Sequence, residues 1–403
     1  MKLKNNIKNK IYYAKANYGS SEIIAVNKVL KNQRLNLMNS HNVRLFEKKI
    51  AKLFNKKYGI MVNSCSSANL LALSALNLKP NSEIITPSLT FSTTVSPIIQ
   101  LGLKPVLVDI NLESLLIDEK KIERMITKKT KAMIIPNLIG NIPNLKILKG
   151  LCKKYKLYYI EDSADTIDSY YNNISTGDYS DISTTSFYAS HVITCAGFGG
   201  MLCTDNKEIY KKAIIQRGWG RNSSLFEEKE SIKLRFKTKN SYDEKYLFTD
   251  LGYNFIPSEI SAAFGLEQLK KLKKFAKIRN RNFDYLYNFF LKYDEFFLLP
   301  KKNKKVKNIW LAFPFLIRNK KIRRNDLQIY LEENNIQTRT IFSGNILKQP
   351  GYPKKYFKLD KEGYKNADYV MKNGILLGSH QSMTLNELKY ITNVIESFIN
   401  KLN

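Results

Sequence analysis

From about residue 45 onward, short apolar runs alternate with segments whose apolar residues recur at helical spacing. "VRLFEKKIAKLF" reads as a helix, "YGIMVNS" as a strand, "SANLLALSALNL" as a helix and "SEIITPS" as a strand ending in a proline turn. "TVSPIIQLG" is helical, "KPVLVDI" and "TKAMIIPNLIG" are strands, "NLKILKGLCKKY" is a helix and "LYYIEDSAD" a further strand. Strands separated by helices of about ten residues mean strand–helix–strand units, because a parallel neighbour needs a long crossover. The expected class is therefore α/β, with a mostly parallel sheet flanked by helices. Ligands of such sheets lie beyond the C-terminal strand ends. Those ends carry "NSCSSAN", "TPSLTFSTT" and "EDSAD", which is where chemistry is to be sought.

The pattern changes after roughly residue 250. A long charged helix is predicted over 258–293, followed by short strands ("IWLAFPFLI", "NIQTRTIF") and two helices ("RRNDLQIYLEENN", "LNELKYITNVIESFINKL"). A chain of 403 residues is long enough for two domains. The reading is a large domain over 1–250, including an N-terminal helical segment, and a smaller α+β domain over 251–403.

Composition narrows the partners. The formal charge of +31 would suit nucleic acid or an anionic membrane, but the lysines are spread along the whole chain. The densest runs, "KKNKK" and "RNKKIRR", lack the interleaved aromatics of a strand-binding platform, so a solvated lysine surface is the reading and no nucleic-acid partner is expected. A diphosphate-bearing substrate would still benefit from the field. No apolar run approaches membrane-spanning length, and the basic N-terminus lacks the apolar stretch of a secretory signal. Four cysteines, at 65, 152, 195 and 203, form no CxxC pair. Neither a disulfide framework nor a metal site is expected, and a reducing, cytoplasmic setting follows.

Four stretches at the strand ends carry chemistry. In "VNSCSSANLLALSAL" a helix begins where free N–H groups and a positive dipole end can bind phosphate, with Ser66 and Ser67 adding hydroxyls; plain N-capping is the alternative. In "LYYIEDSADTID", Asp162 and Asp165 are placed to meet a cofactor's protonated ring nitrogen, or to cap a helix. Phe91 in "TPSLTFSTT" can stack on a planar ring, or serve as core. "SFYASHVITCAGFGG" reads as a buried strand, "TTSFYAS", that delivers Ser186 and His191 to a glycine-rich turn, a structural histidine being the alternative.

Together these motifs resemble the DegT/DnrJ/EryC1/StrS sugar aminotransferases, over nearly the whole chain. The resemblance includes "PSLTFSTTVSPIIQLGLKPVLVDI", "NLIGNIPNL", "EDSADTID" and "LGYNFIPSEISAAFGLEQL". It implies the type I fold of pyridoxal-phosphate transferases. It also implies cofactor-binding roles for Ser66, Ser67 and Ser186 at the phosphate, Asp162 at the pyridine nitrogen, Asp165 beside it and Phe91 on the ring. Cys65 stands where the family usually has glycine. Asn254 in "GYNF" matches an asparagine that reaches the phosphate from a neighbouring subunit, which implies a homodimer with shared active sites.

His191 departs from the pattern, for it stands where the aminotransferases have lysine. Lysine binds the cofactor covalently and shuttles a proton; histidine can do only the second. The resemblance is then to the subgroup of pyridoxamine-dependent sugar 3-dehydratases, which hold pyridoxal or pyridoxamine 5'-phosphate without a covalent bond. It implies a nucleotide-linked 4-keto-6-deoxyhexose as substrate, glutamate as amine donor, and a 4-keto-3,6-dideoxy sugar for surface polysaccharide as product. One kind in this subgroup carries a [2Fe–2S] cluster and uses a reductase, its cysteines lying between "GWGR" and "LGYN". That segment has no cysteine here, so no iron–sulfur cluster is expected. Arg221 and Arg339 are candidates for the substrate's diphosphate or the glutamate carboxylate, and His380 for the lining of the sugar pocket, a structural role being the alternative for each. The alternatives are an aminotransferase of the same family and a reductase-coupled dehydratase.

Overall fold

Strands that are buried on both faces are largely apolar; here Ile60, Val62, Val106, Val108, Ile134 and Ile160 are buried, while Glu161, Asp162, Ser183 and Thr184 are polar side chains buried in the same sheet. A computed structural model of the chain, describing residues 9–32, 36–226, 232–236 and 242–402, places seven strands in that sheet. Its order is Tyr58–Val62, Gly200–Thr204, Ile182–Ser186, Tyr158–Ser163, Thr130–Pro136, Glu83–Pro87 and Lys104–Val108. Six strands run parallel; Gly200–Thr204 runs against both of its neighbours. Helices such as Cys65–Ala75 and Leu145–Tyr155 cover the faces, as a parallel sheet requires. Leu145–Tyr155 shows how the sequence bounds its elements. Asn144 accepts from the N–H of Ile147 at 3.3 Å to start it, and Lys156 ends it in the left-handed region (φ 54°).

The C-terminal region forms a second, antiparallel sheet in the order Phe297–Leu298, Ala312–Ile317, Gly374–Gly378 and Thr338–Arg339. Two predicted strands shrink. "IWLAFPFLI" is extended only over Ala312–Ile317, and "NIQTRTIF" joins the sheet only through Thr338–Arg339. The predicted strand "TTSFYAS" also ends early, at Ser186, so His191 lies wholly in the following loop.

The Glu259–Phe290 helix joins the two regions. Its first half gives Ala262, Leu272 and Phe275 to a core shared with Phe46, Phe187 and Met201. Its second half gives Phe283, Leu286 and Phe290 to a core built from Phe313, Phe315, Leu327 and Ile391. Ile11, near the start of the chain, belongs to that second core and bridges to Ile336. The N-terminus therefore straps across the C-terminal region before the first helix, Ser20–Asn32, begins.

Candidate active site

Because six strands are parallel, their C-terminal ends share one edge of the sheet. The first of them, Tyr58–Val62, turns at Asn63 into the Cys65–Ala75 helix. Ser64 caps that helix, accepting from the N–H of Ser67 at 3.1 Å. Ser66 and Ser67 stand on its first turn, half-buried, with the Ser66 hydroxyl 2.9 Å from Thr93 Oγ1. Gly200 opposes Ser186 across the sheet, and a Cβ on it would fall 2.3 Å from the carbonyl carbon of Ser64. Only glycine lets the helix start approach that closely. The result places Ser66, Ser67 and Ser186 around a helix N-terminus, an arrangement suited to phosphate.

Asp162 sits near the end of Tyr158–Ser163 and is only 3% exposed. Its Oδ2 accepts from Thr94 Oγ1 at 2.7 Å and from Asn69 Nδ2 at 2.9 Å. Its Oδ1 accepts from the N–H of Ala164 at 3.2 Å, with the Cys65 thiol 3.9 Å away. Asn69 is itself held, its Oδ1 accepting from Thr184 Oγ1 at 2.6 Å. Burial raises the Asp162 pKa, which the three hydrogen bonds partly offset. A buried carboxylate aimed and hydrogen-bonded in this way, with no cation paired to it among the described residues, suits a protonated ring nitrogen. Asp165 is buried too, accepts from the N–H of Ile139 at 2.7 Å, and is pushed up to about 7 by burial and by the nearby Asp162 charge. Phe91 ends the turn before the Ser92–Gln100 helix, and its ring is 53% exposed, edge-on to Phe342. It is free to stack on a planar group rather than being core.

The loop after Ser186 folds back on itself. Phe187 donates its N–H to the Gly199 carbonyl at 2.9 Å, and its own carbonyl accepts from the N–H of Cys195 at 3.1 Å and from Thr194 Oγ1 at 3.0 Å. Gly199, at φ 119°, closes the turn. His191 stands on this loop, half-buried, its ring edge-on to Tyr188. Its Nδ1 is buried with no hydrogen-bond partner. Burial and the Arg279 guanidinium lower its pKa to about 4, so the ring is neutral at physiological pH and holds a free lone pair. No lysine occurs between Phe187 and Gly199.

The remaining candidates separate. Arg339 lies on the second sheet, exposed, with its guanidinium 5.6 Å from the Tyr13 ring. Tyr13 reaches this place because the strap passes so near Gly378 that a Cβ there would meet the Tyr13 carbonyl at 2.6 Å. His380 is 4% exposed and committed to backbone: Nδ1 accepts from the N–H of Ser382 at 3.2 Å, and Nε2 lies 3.1 Å from the Tyr12 carbonyl. Both ring nitrogens being engaged, His380 seats the strap, the structural role that the sequence also allowed. Arg221 and Asn254 lie elsewhere, on the segment that follows Lys207–Arg217. The Arg221 guanidinium stacks 4.0 Å from the Trp219 ring, and Asn254 is exposed. Among the described residues no contact in this chain joins either to Asp162 or His191.

Also among the described residues, no group of three or more histidine, cysteine or acidic side chains is placed to hold a metal, and no helix is long and apolar enough to cross a membrane. The four cysteines are free thiols and buried.

The fold is that of the type I pyridoxal-phosphate transferases. The chain belongs to the DegT/DnrJ/EryC1/StrS aminotransferase family, whose model matches residues 17–396. It is 34% identical over 368 residues to the lipopolysaccharide biosynthesis protein RfbH of Salmonella typhimurium, across 88% of this chain and 84% of that one. It is 32% identical over 393 residues to GDP-4-keto-6-deoxy-D-mannose 3-dehydratase of Escherichia coli O55:H7, across 95% of this chain and 98% of that one. A crystal structure of GDP-4-keto-6-deoxymannose-3-dehydratase with a trapped PLP-glutamate geminal diamine superposes with a TM-score of 0.86 at 31% identity, covering 95% of this chain and 99% of that one.

Proposed function

We propose that this chain is a 3-dehydratase of a nucleotide-linked 4-keto-6-deoxyhexose, working with pyridoxal/pyridoxamine 5'-phosphate and glutamate. The observation that carries the reading is His191: a neutral imidazole with an unpartnered Nδ1, on the glycine-closed loop beside the Ser186 cradle, in a loop without lysine. The likeness to the GDP-4-keto-6-deoxy-D-mannose 3-dehydratase supports the substrate class.

Ser66, Ser67, Ser186 and the start of the Cys65–Ala75 helix hold the cofactor phosphate; Asp162 holds the ring nitrogen, Asp165 lies beside it, and Phe91 covers the ring face. When bound, the cofactor supplies an amine for the sugar ketone and a ring that withdraws electrons. Asp162 keeps that ring protonated by offering a carboxylate already ordered by Thr94 and Asn69. His191 accepts the proton released at the reacting carbon and can return one to the C3 hydroxyl as it leaves. The histidine has no amine with which to hold the cofactor covalently. The net balance closes: glutamate gives up its amine and two electrons, becoming 2-oxoglutarate. The sugar loses its C3 oxygen as water, one water is taken up in the hydrolysis that releases the nitrogen as ammonia, and no net water is formed. Arg339 and Tyr13 border the sugar side. Arg221 is half-buried and Asn254 exposed on this chain, and we assign them to the site of a second copy, which makes the working form a homodimer.

The test is direct. Protein supplied with cofactor, glutamate and a nucleotide-linked 4-keto-6-deoxyhexose should release ammonia; a borohydride-reducible bond between resting protein and cofactor would refute the reading.

A further inference from the structure

His191 differs from Asp162 in how its side chain is held. Asp162 is aimed by three hydrogen bonds, whereas no hydrogen bond reaches the His191 ring among the described residues. The aim of its imidazole therefore depends on packing and on where its backbone sits.

That backbone is held by Arg279, on the long Glu259–Phe290 helix. The guanidinium is 1% exposed and donates from Nη2 to the His191 carbonyl at 3.2 Å. Nη1 donates to the Leu311 carbonyl at 2.8 Å and the Trp310 carbonyl at 3.4 Å, and Nε donates to Gln381 Oε1 at 2.6 Å. Gln381 in turn donates from Nε2 to the Val192 carbonyl at 3.4 Å. No carboxylate is ion-paired with Arg279 among the described residues. A buried guanidinium without a counter-ion is costly, so its retention calls for a role. Its planar fork reaches three separate segments at once, which a lysine ammonium cannot do.

The chain of bonds continues. The N–H of Leu311 donates to the Ile139 carbonyl at 3.0 Å, and the N–H of Ile139 donates to Asp165 Oδ2 at 2.7 Å. The base loop and the second carboxylate of the site are thus tied to one another through Arg279.

We propose that Arg279 is a positioning residue for His191: it pins the base loop to the Trp310–Leu311 segment and, through Ile139, to Asp165. The inference rests on His191 being the base of the reaction above. The guanidinium charge also adds to burial in keeping the imidazole neutral.

Arg279→Lys keeps the charge and loses the fork. In the variant, glutamate-dependent conversion of the bound cofactor should slow by about a hundredfold, the scale of a displaced catalytic group. Cofactor affinity should stay within about twofold, because Ser66, Ser67, Ser186 and Asp162 share no bond with Arg279. In cofactor-free protein carrying 13C-labelled histidine, the His191 ring resonance is identified by its absence from His191→Asn. It should move or split in Arg279→Lys, while that of His41 does not. A wild-type conversion rate, or an unmoved His191 resonance, overturns the proposal. If Arg279→Lys does not fold, Gln381→Met removes only the Nε acceptor and the Val192 tie. It should give the same signature with a loss of about tenfold, and the same two results would overturn the proposal. Neither readout uses a sugar, so a failure of the dehydratase reading shows separately, as absent dehydration by the wild-type protein.

Discussion

Thr94 donates its hydroxyl to Asp162 Oδ2 at 2.7 Å, from the first turn of one helix to a strand 68 residues further on. With Asn69 on the same oxygen, it orders the carboxylate before any ligand arrives. Thr94→Val removes one bond from a buried anion and should weaken cofactor binding by about tenfold, the worth of one charge-assisted hydrogen bond. Asp162→Asn removes the charge and should abolish turnover. Titration of cofactor fluorescence measures the first, and release of 2-oxoglutarate from glutamate the second.

Gly200 is where the helix start meets the strand. A methyl group there falls 2.3 Å from Ser64 and 2.4 Å from the Cys65 nitrogen, both backbone atoms that cannot rotate away. Gly200→Ala should lower stability by about 1–3 kcal/mol, as overpacking does, and weaken phosphate binding more than Ser67→Ala. Thermal unfolding with and without cofactor separates the two effects.

How much of this was legible in the sequence depends on the range of the contact. The parallel sheet and its loaded edge follow from local periodicity, and Ser66, Asp162 and Ser186 stand at strand ends that the pattern marks. The reversed strand Gly200–Thr204 was not marked, because its register is set by partners at Tyr58 and Ile182 rather than by its own residues. Tyr13 and Arg279 were missed for the same reason. The first is delivered by a strap lying on Gly378, and the second acts on a carbonyl 88 residues away. "GSHQ" leaves open whether His380 is functional or structural, because a sequence does not show that both its nitrogens are spent on backbone.

Asp165 gives a pH signature. Its folded pKa is raised from 3.8 to about 7, so between those values the native state binds the extra proton. The contribution favours the folded state at low pH and is lost as pH rises through 7. Asp165→Asn should therefore raise the melting temperature of the cofactor-free protein at pH 8. The gain should shrink as pH falls toward 4. Equal gains at both pH values would contradict the shift.

His191 has its pKa lowered from 6.5 to about 4, so it remains a neutral base in mild acid. The acid limb of kcat/KM should lie below pH 6, under that of a free imidazole. His191→Asn should cut turnover by at least about a hundredfold, the range for a lost general base, while leaving cofactor binding intact. His191→Lys should gain a borohydride-reducible bond to the cofactor, visible as added mass on the 187–199 peptide.

The central claim is that replacing the lysine with His191 turns amine transfer into loss of a hydroxyl. The most direct measurement supplies the protein with cofactor, glutamate and 4-keto-6-deoxyhexoses linked in turn to GDP, CDP, UDP and dTDP, reading product mass and ammonia together. One substrate should be converted to a 4-keto sugar lighter by the C3 oxygen, with one ammonia and one 2-oxoglutarate per turnover. An aminated sugar that keeps its C3 oxygen, with no ammonia released, would contradict it.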